Sequence, residues 1–245
     1  MDKRSMVLAV GALAALSAAA PAQNTALEVK ATGKKTFYAD SRAGNNQVSI
    51  FSQSTLEDFT CVCNKVTGQC EFDPKSIESL KGRFAIRVED IKSGIELRDH
   101  DLQGPEWLDA GKYPEVVIEI TGVEEAKKTA AAEASLVLVG TCTVRGKANP
   151  IKIPSTLNYL DESPVTMKRV KGDLLRLRSE FKLKLSDYGI TGPPASGTIG
   201  LKVADTLDIR VTVFGSTEKP PAALQADTQP ATAKPAGLPP PKRPG

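Results

Sequence analysis

The stretch that decides the fold is Asp173–Leu185, DLLRLRSEFKLKL. Leu175, Leu177, Phe181, Leu183 and Leu185 are spaced mostly in twos, with charged residues between them. Successive side chains of a strand point to opposite faces, so this spacing reads as a long strand with one buried and one wetted face. The same period recurs in both directions. Downstream, Leu207, Ile209, Val211 and Val213 share one face of Asp205–Phe214. Upstream, Ile151, Ile153, Ser155, Leu157 and Tyr159 alternate with polar residues, and Leu136, Leu138, Gly140, Cys142 and Val144 precede them across an Arg145–Ala148 turn.

Further upstream, Val116–Glu124 and Arg83–Glu89 read as strands. Lys127–Glu133 is Ala-rich but is taken as the start of the strand that continues through Leu136. Thr36–Asp40 and Gln47–Gln53 flank a turn at Arg42–Asn46. Leu56–Cys63 and Gln69–Asp73 flank Asn64–Gly68 and read as a hairpin. Pro74–Leu80 suggests a helical turn, and Val165–Lys171 a further strand. The total is about eight or nine strands with almost no amphipathic helix. Long antiparallel hairpins need their edges closed, which predicts an all-β, up-and-down antiparallel barrel of about eight strands. A two-layer sandwich fits the alternation equally well.

One segment breaks the pattern. Ile95–Ile120, IELRDHDLQGPEWLDAGKYPEVVIEI, starts helix-like and polar, and carries the only histidine and the only tryptophan of the chain. It turns at Gly111 and Tyr113-Pro114 before entering a strand. Such an insertion is placed to form a short helical lid over one end of the barrel.

Both ends differ from the rest. Residues 1–22 show a basic-leaning n-region, an apolar run too short to span a bilayer and a small-x-small site after Ala22, which predict a signal peptide and a periplasmic or secreted location. Residues 216–245 hold eight prolines and read as a disordered, partly polyproline-like tail. A single domain, residues 23–215, is expected between them. No stable membrane span is expected in the mature chain. The net charge of +3, from 32 basic and 29 acidic residues, gives no electrostatic reason to expect nucleic acid as a partner.

The chemistry-bearing residues are few. In a secreted chain Cys61, Cys63, Cys70 and Cys142 are disulfide candidates. In the hairpin reading Cys63 faces Cys70 and Cys61 pairs with Cys142 from a central strand, one of the three pairings that four cysteines allow. Cys-x-Cys with a six-residue gap is poor spacing for zinc, so no metal and no cofactor are expected. His100 alone cannot build a multi-histidine site, and no G-x-S-x-G elbow supplies a nucleophile. No catalytic residue is assigned. Arg98 and His100 either tie the lid to the barrel rim or meet a polar head group, for which an arginine fork is suited. Trp107 and Leu108 need burial, in the core or in a pocket wall.

The run Leu97–Ile120 resembles the YceI-like family of secreted, lipocalin-like polyisoprenoid-binding proteins. Phe72-Asp73-Pro74, Gly140–Gly146 before Pro150, Ser186–Ile190 and the closing Val203–Gly215 fall in the order of that family. The resemblance implies an extended lipocalin-like barrel that binds a long apolar chain, as a homodimer, in the periplasm. The four cysteines and the proline-rich tail depart from it. The residues expected at the ligand are Arg98, His100, Leu102, Trp107, Leu108, Phe84, Phe181 and Tyr188. A carrier for a polyisoprenoid, a quinone or a fatty-acyl lipid is the first expectation. The alternatives are a scaffold with a filled barrel and a docking tail, and a secreted hydrolase or thiol-redox enzyme.

Overall fold

The computed structural model describes residues 25–193 and 197–221. The proposed signal peptide, Pro194 and most of the proline-rich tail lie outside them. The strand segments are β1 (Lys35–Ala39), β2 (Gln47–Gln53), β3 (Asp58–Cys63), β4 (Thr67–Asp73), β5 (Ser76–Arg87), β6 (Glu115–Ala130), β7 (Glu133–Val144), β8 (Lys147–Leu160), β9 (Leu174–Lys184) and β10 (Thr206–Ser216), with a two-turn helix, α1 (Glu96–Gln103), between β5 and β6 and a single kinked turn, α2 (Thr198–Leu201), before β10.

All neighbours are antiparallel, in the order β1-β4-β5-β6-β7-β8-β9-β10-β2-β3. β10 pairs with β2 along Asp208–Thr212 and with β1 at Gly215 and Ser216. β1 and β2 are therefore two halves of one strand, interrupted at residues 40–46. β3 lies on β2 and β4 on β1, so β3 and β4 are the halves of the next strand. Counted this way, the sheet is a closed, eight-stranded, antiparallel barrel, as the need to close the edges of long hairpins predicted. Closure leaves only the outer side of β3 without a strand partner, where Val62 bridges to Lys92, and the sandwich alternative falls away.

The break between β1 and β2 is held by charge. Asp40 is buried, and its carboxylate accepts hydrogen bonds from the Arg42 backbone N–H at 2.9 Å, the Arg42 guanidinium at 2.7 Å and the Ser216 hydroxyl at 2.9 Å. The fold thus runs past residue 215: Ser216 is buried, and Glu218 accepts from the Lys171 N–H.

Several local expectations change. β3 and β4 are not a hairpin but consecutive pieces of one strand. Cys63 lies opposite Val48, and Cys70 opposite Phe37 and Gly82. Seven residues of chain, running on in one direction from β3 into β4, separate the two thiols by on the order of 20 Å, far beyond disulfide reach. All four cysteines are free thiols and buried. Cys61 on β3 and Cys142 on β7 are separated by β5 and β6. Residues 74–80 are not helical: the chain turns at Pro74-Lys75 and enters β5, burying Ile77 and Leu80. Lys127–Ala130 ends β6 rather than starting β7, with the turn at Ala131-Ala132. Thr166–Lys168 is a short 3-10 turn in a loop, not a strand, and Val165 is exposed.

The barrel interior divides into two. One end is packed solid: Phe37, Phe72 and Tyr159 meet with ring centroids 5.4–6.3 Å apart, among Leu27, Ile77, Leu80, Leu136, Leu157 and Leu175. Gly215, facing Phe37, makes room for that layer. A Cβ there would lie 3.2 Å from the Phe37 Cβ. The other end, under α1, is hollow.

Candidate ligand-binding site

The hollow end is a cavity of about 490 Å³, within the range of pockets, about 300–1,000 Å³, that bury a small apolar ligand. Its wall follows from the period-two pattern. β10 contributes Leu207, Ile209, Val211 and Val213; β9 contributes Leu177, Ser179, Phe181 and Leu183; β6 contributes Val116, Ile118 and Ile120. Val48, Ile50, Phe59 and Cys61 complete the side formed by β2 and β3. Ile120, Leu138, Ile153 and Leu177 form the floor and belong to the packed layer beneath.

Polar groups on this wall are few. The Ser179 hydroxyl bonds to Ser155 at 2.7 Å, directly across the β8–β9 ladder, so it is already satisfied. Burial pushes the Cys61 thiol up to about 11, with the Asp99 charge adding to it. Burial also raises Cys142, against a hydrogen bond with Tyr188. Thiols this far above neutrality are protonated and behave as small apolar groups.

The mouth is different. Glu57, Arg98, Asp101, Thr198 and Lys202 line it. The Arg98 guanidinium bonds to Glu57 at 2.9 Å and lies 4.2 Å above the Phe59 ring. This ties α1 to the start of β3. Helix α1 fully buries none of its residues and packs on the core through Leu102, so its position depends largely on such ties. Asp99 accepts from the Ser93 N–H and hydroxyl, each at 2.7 Å. Burial opposes its charge, but these bonds outweigh that and hold its carboxyl below the usual range. Arg145, at the β7–β8 turn, donates to the Pro105 carbonyl at 2.6 Å. Around this mouth stand exposed apolar side chains: Leu97 at 71%, Leu56 at 62%, Ile95 at 51% and Leu201 at 40%. Leu56 and Leu201 are joined by a backbone hydrogen bond.

Of the residues expected from the sequence, Phe84, Leu102, Trp107, Leu108 and Phe181 line the cavity, and Arg98 stands at its mouth. His100 does not: its side chain is 86% exposed, near Asp101. Tyr188 is buried behind the wall, its hydroxyl bonded with Cys142. The sequence reading missed Phe59, Ser179, Glu57 and Lys202. Ser179 was detectable, since it holds a lumen position in an otherwise apolar series; Lys202 sits in an irregular loop and had no signal.

The profile of the YceI-like domain matches residues 38–214. The chain belongs to the YceI-like family. The match covers the barrel from within β1 to within β10. Among YceI-like relatives, a UPF0312 protein of Pseudomonas putida (strain GB-1) is 25% identical over 169 residues, which are 69% of this chain and 76% of that one. The protein YceI of Salmonella arizonae is 25% identical over 139 residues, 56% and 67% of the two chains. Two solved structures share the fold. BcnA of Burkholderia cenocepacia aligns with a TM-score of 0.55 at 18% identity, over 72% of this chain and 98% of that one. A polyisoprenoid-binding domain from Saccharophagus degradans aligns with a TM-score of 0.53 at 10% identity, over 75% and 99%. No helix among the described residues is long and apolar enough to cross a membrane.

Proposed function

We propose that this protein is a periplasmic or secreted carrier that sequesters the apolar chain of a lipid, such as a polyisoprenoid, an isoprenoid quinone or a fatty-acyl lipid, without chemically changing it. The observation that carries this reading is the hollow, hydrocarbon-lined half of the barrel opening beneath α1. Each methylene moved from water into such a wall contributes about 0.8 kcal/mol, so a long chain overcomes the cost of association without any polar contact. The wall below the rim offers one hydroxyl and two protonated thiols, which suits holding rather than cleaving. The location is supported by the character of residues 1–22. The relative that binds polyisoprenoids supports the ligand class. A homodimer and a tail that positions the carrier near an envelope partner complete the proposal.

The test is native mass spectrometry of protein expressed with its N-terminal segment and purified without detergent. An adduct that solvent extraction yields as an apolar lipid is the expected result. Protein that stays empty after exposure to a total lipid extract would overturn the reading.

A further inference from the structure

The carrier reading leaves the size of the ligand open, and the closed end of the barrel limits it. Along β9, Leu177, Ser179, Phe181 and Leu183, and Leu185 just beyond, face the cavity, whereas Leu175, one step deeper, is buried in the packed layer. Eight residues from Leu177 to Leu185 cover about 26 Å of strand, and a barrel tilt of roughly 35–45° makes this about 20 Å of depth. An extended chain advances about 3.6 Å per three bonds, so this depth takes roughly 16 bonds.

We propose that the barrel accepts a single apolar chain of about 16 carbons, or roughly three to four isoprene units. The floor formed by Ile120, Leu138, Ile153 and Leu177 sets this limit. It cannot yield, because Phe37, Phe72 and Tyr159 stand behind it at 0–2% exposure, in mutual ring contact. Interiors packed this way do not open for one more methylene without strain. A longer chain leaves its excess at the mouth, in water or among Leu56, Ile95 and Leu97, so further carbons add little affinity. This inference rests on the carrier reading but goes beyond it, since a hollow barrel without a rigid floor would favour ever longer chains.

The experiment is a binding series on the full chain with straight primary alcohols of roughly 10 to 24 carbons, neutral so that the mouth charges play no part. The expected affinity rises by about two- to fourfold per added methylene, then levels off near the predicted length. Ser179→Phe, which fills the cavity just above the floor, shortens the length at which the rise stops. Leu177→Ala, which deepens the floor, lengthens it; Ser179→Phe still reads the limit if Leu177→Ala fails to fold. A rise that continues unbroken to the longest alcohol, or a break point that neither variant moves, overturns the length limit and leaves the carrier standing. Failure of every alcohol to bind overturns the carrier reading itself.

Discussion

The Arg98 guanidinium is held 2.9 Å from Glu57 and over the Phe59 ring before any ligand arrives. Its charge is already matched, which makes it a latch for α1 more than a receptor for an anion. An ion pair this exposed contributes about 0–1 kcal/mol and the ring contact a similar amount. Arg98→Ala should therefore leave the melting temperature nearly unchanged and speed ligand dissociation several-fold. A carboxylate and an alcohol of equal chain length should lose affinity alike. Stopped-flow dissociation and paired titrations check this, and a selective loss for the carboxylate would restore the head-group role. Asp40 makes the second residue-scale prediction. Burial works against its charge, but the bonds from Arg42 and Ser216 prevail and hold its carboxyl below the usual value. A depressed pKa stabilises the fold fully above the unfolded value, near 3.9, and that contribution is lost as pH falls through the folded value. Thermal melts of the native chain should thus fall steeply below about pH 4. Asp40→Asn should be less stable at neutral pH by about 1.5–3 kcal/mol, with a flatter acid limb. Parallel acid limbs in the two proteins would refute this.

At the scale of the element, the continuity of β3 into β4 decides the fate of the cysteines. Asn64–Gly68 carries the residues of a hairpin turn, and the strands on either side are where the alternation places them. Which strand pairs with which is not encoded in period two, so a broken strand and a hairpin look alike in sequence. The same limit explains Pro74–Leu80: Pro74 marks a turn, but only the pairing of Asp73 with Ser76 shows that a strand follows. The lid was legible because its charge density, glycines and lone tryptophan break the alternation. The hollowness of one barrel half was not, because Leu177 and Leu175 obey the same rule and only the aromatic layer beneath tells floor from filling. The thiols supply the prediction. Burial pushes Cys70 up to about 12 and Cys61 up to about 11, and Cys63 and Cys142 are raised for the same reason. A thiol reagent at mild alkaline pH should find no reactive group in the folded chain and four in denaturant without reductant. Two or none in denaturant would demonstrate a disulfide, and one between Cys63 and Cys70 would contradict the strand continuity.

At the scale of the molecule, half of the barrel is a packed core and half is a container. The packed half gives the fold its stability without a ligand. The container adds stability only when filled, by mass action: about 2.7 kcal/mol at a ligand concentration 100-fold above Kd. For a domain of this size that is a rise of roughly 2–4 °C per kcal/mol. A chain alcohol of matching length should raise the melting temperature progressively with concentration, whereas one far too short should not. Calorimetry across both series measures this, and equal shifts for the two would mean that the alcohols act on the surface.

A vessel with a sealed base has one door, and this constrains traffic. Water displaced by an incoming chain has to leave past that chain, and a guest cannot be pushed through from behind by its successor. The guest departs in the reverse of the order in which it arrived, the end nearest α1 first. If the protein is the carrier proposed above, a donor and an acceptor come in turn to the same face, where Leu56, Ile95, Leu97 and Leu201 are exposed, and cannot both hold it there at once. Delivery becomes a matter of alternation in time, not passage through space.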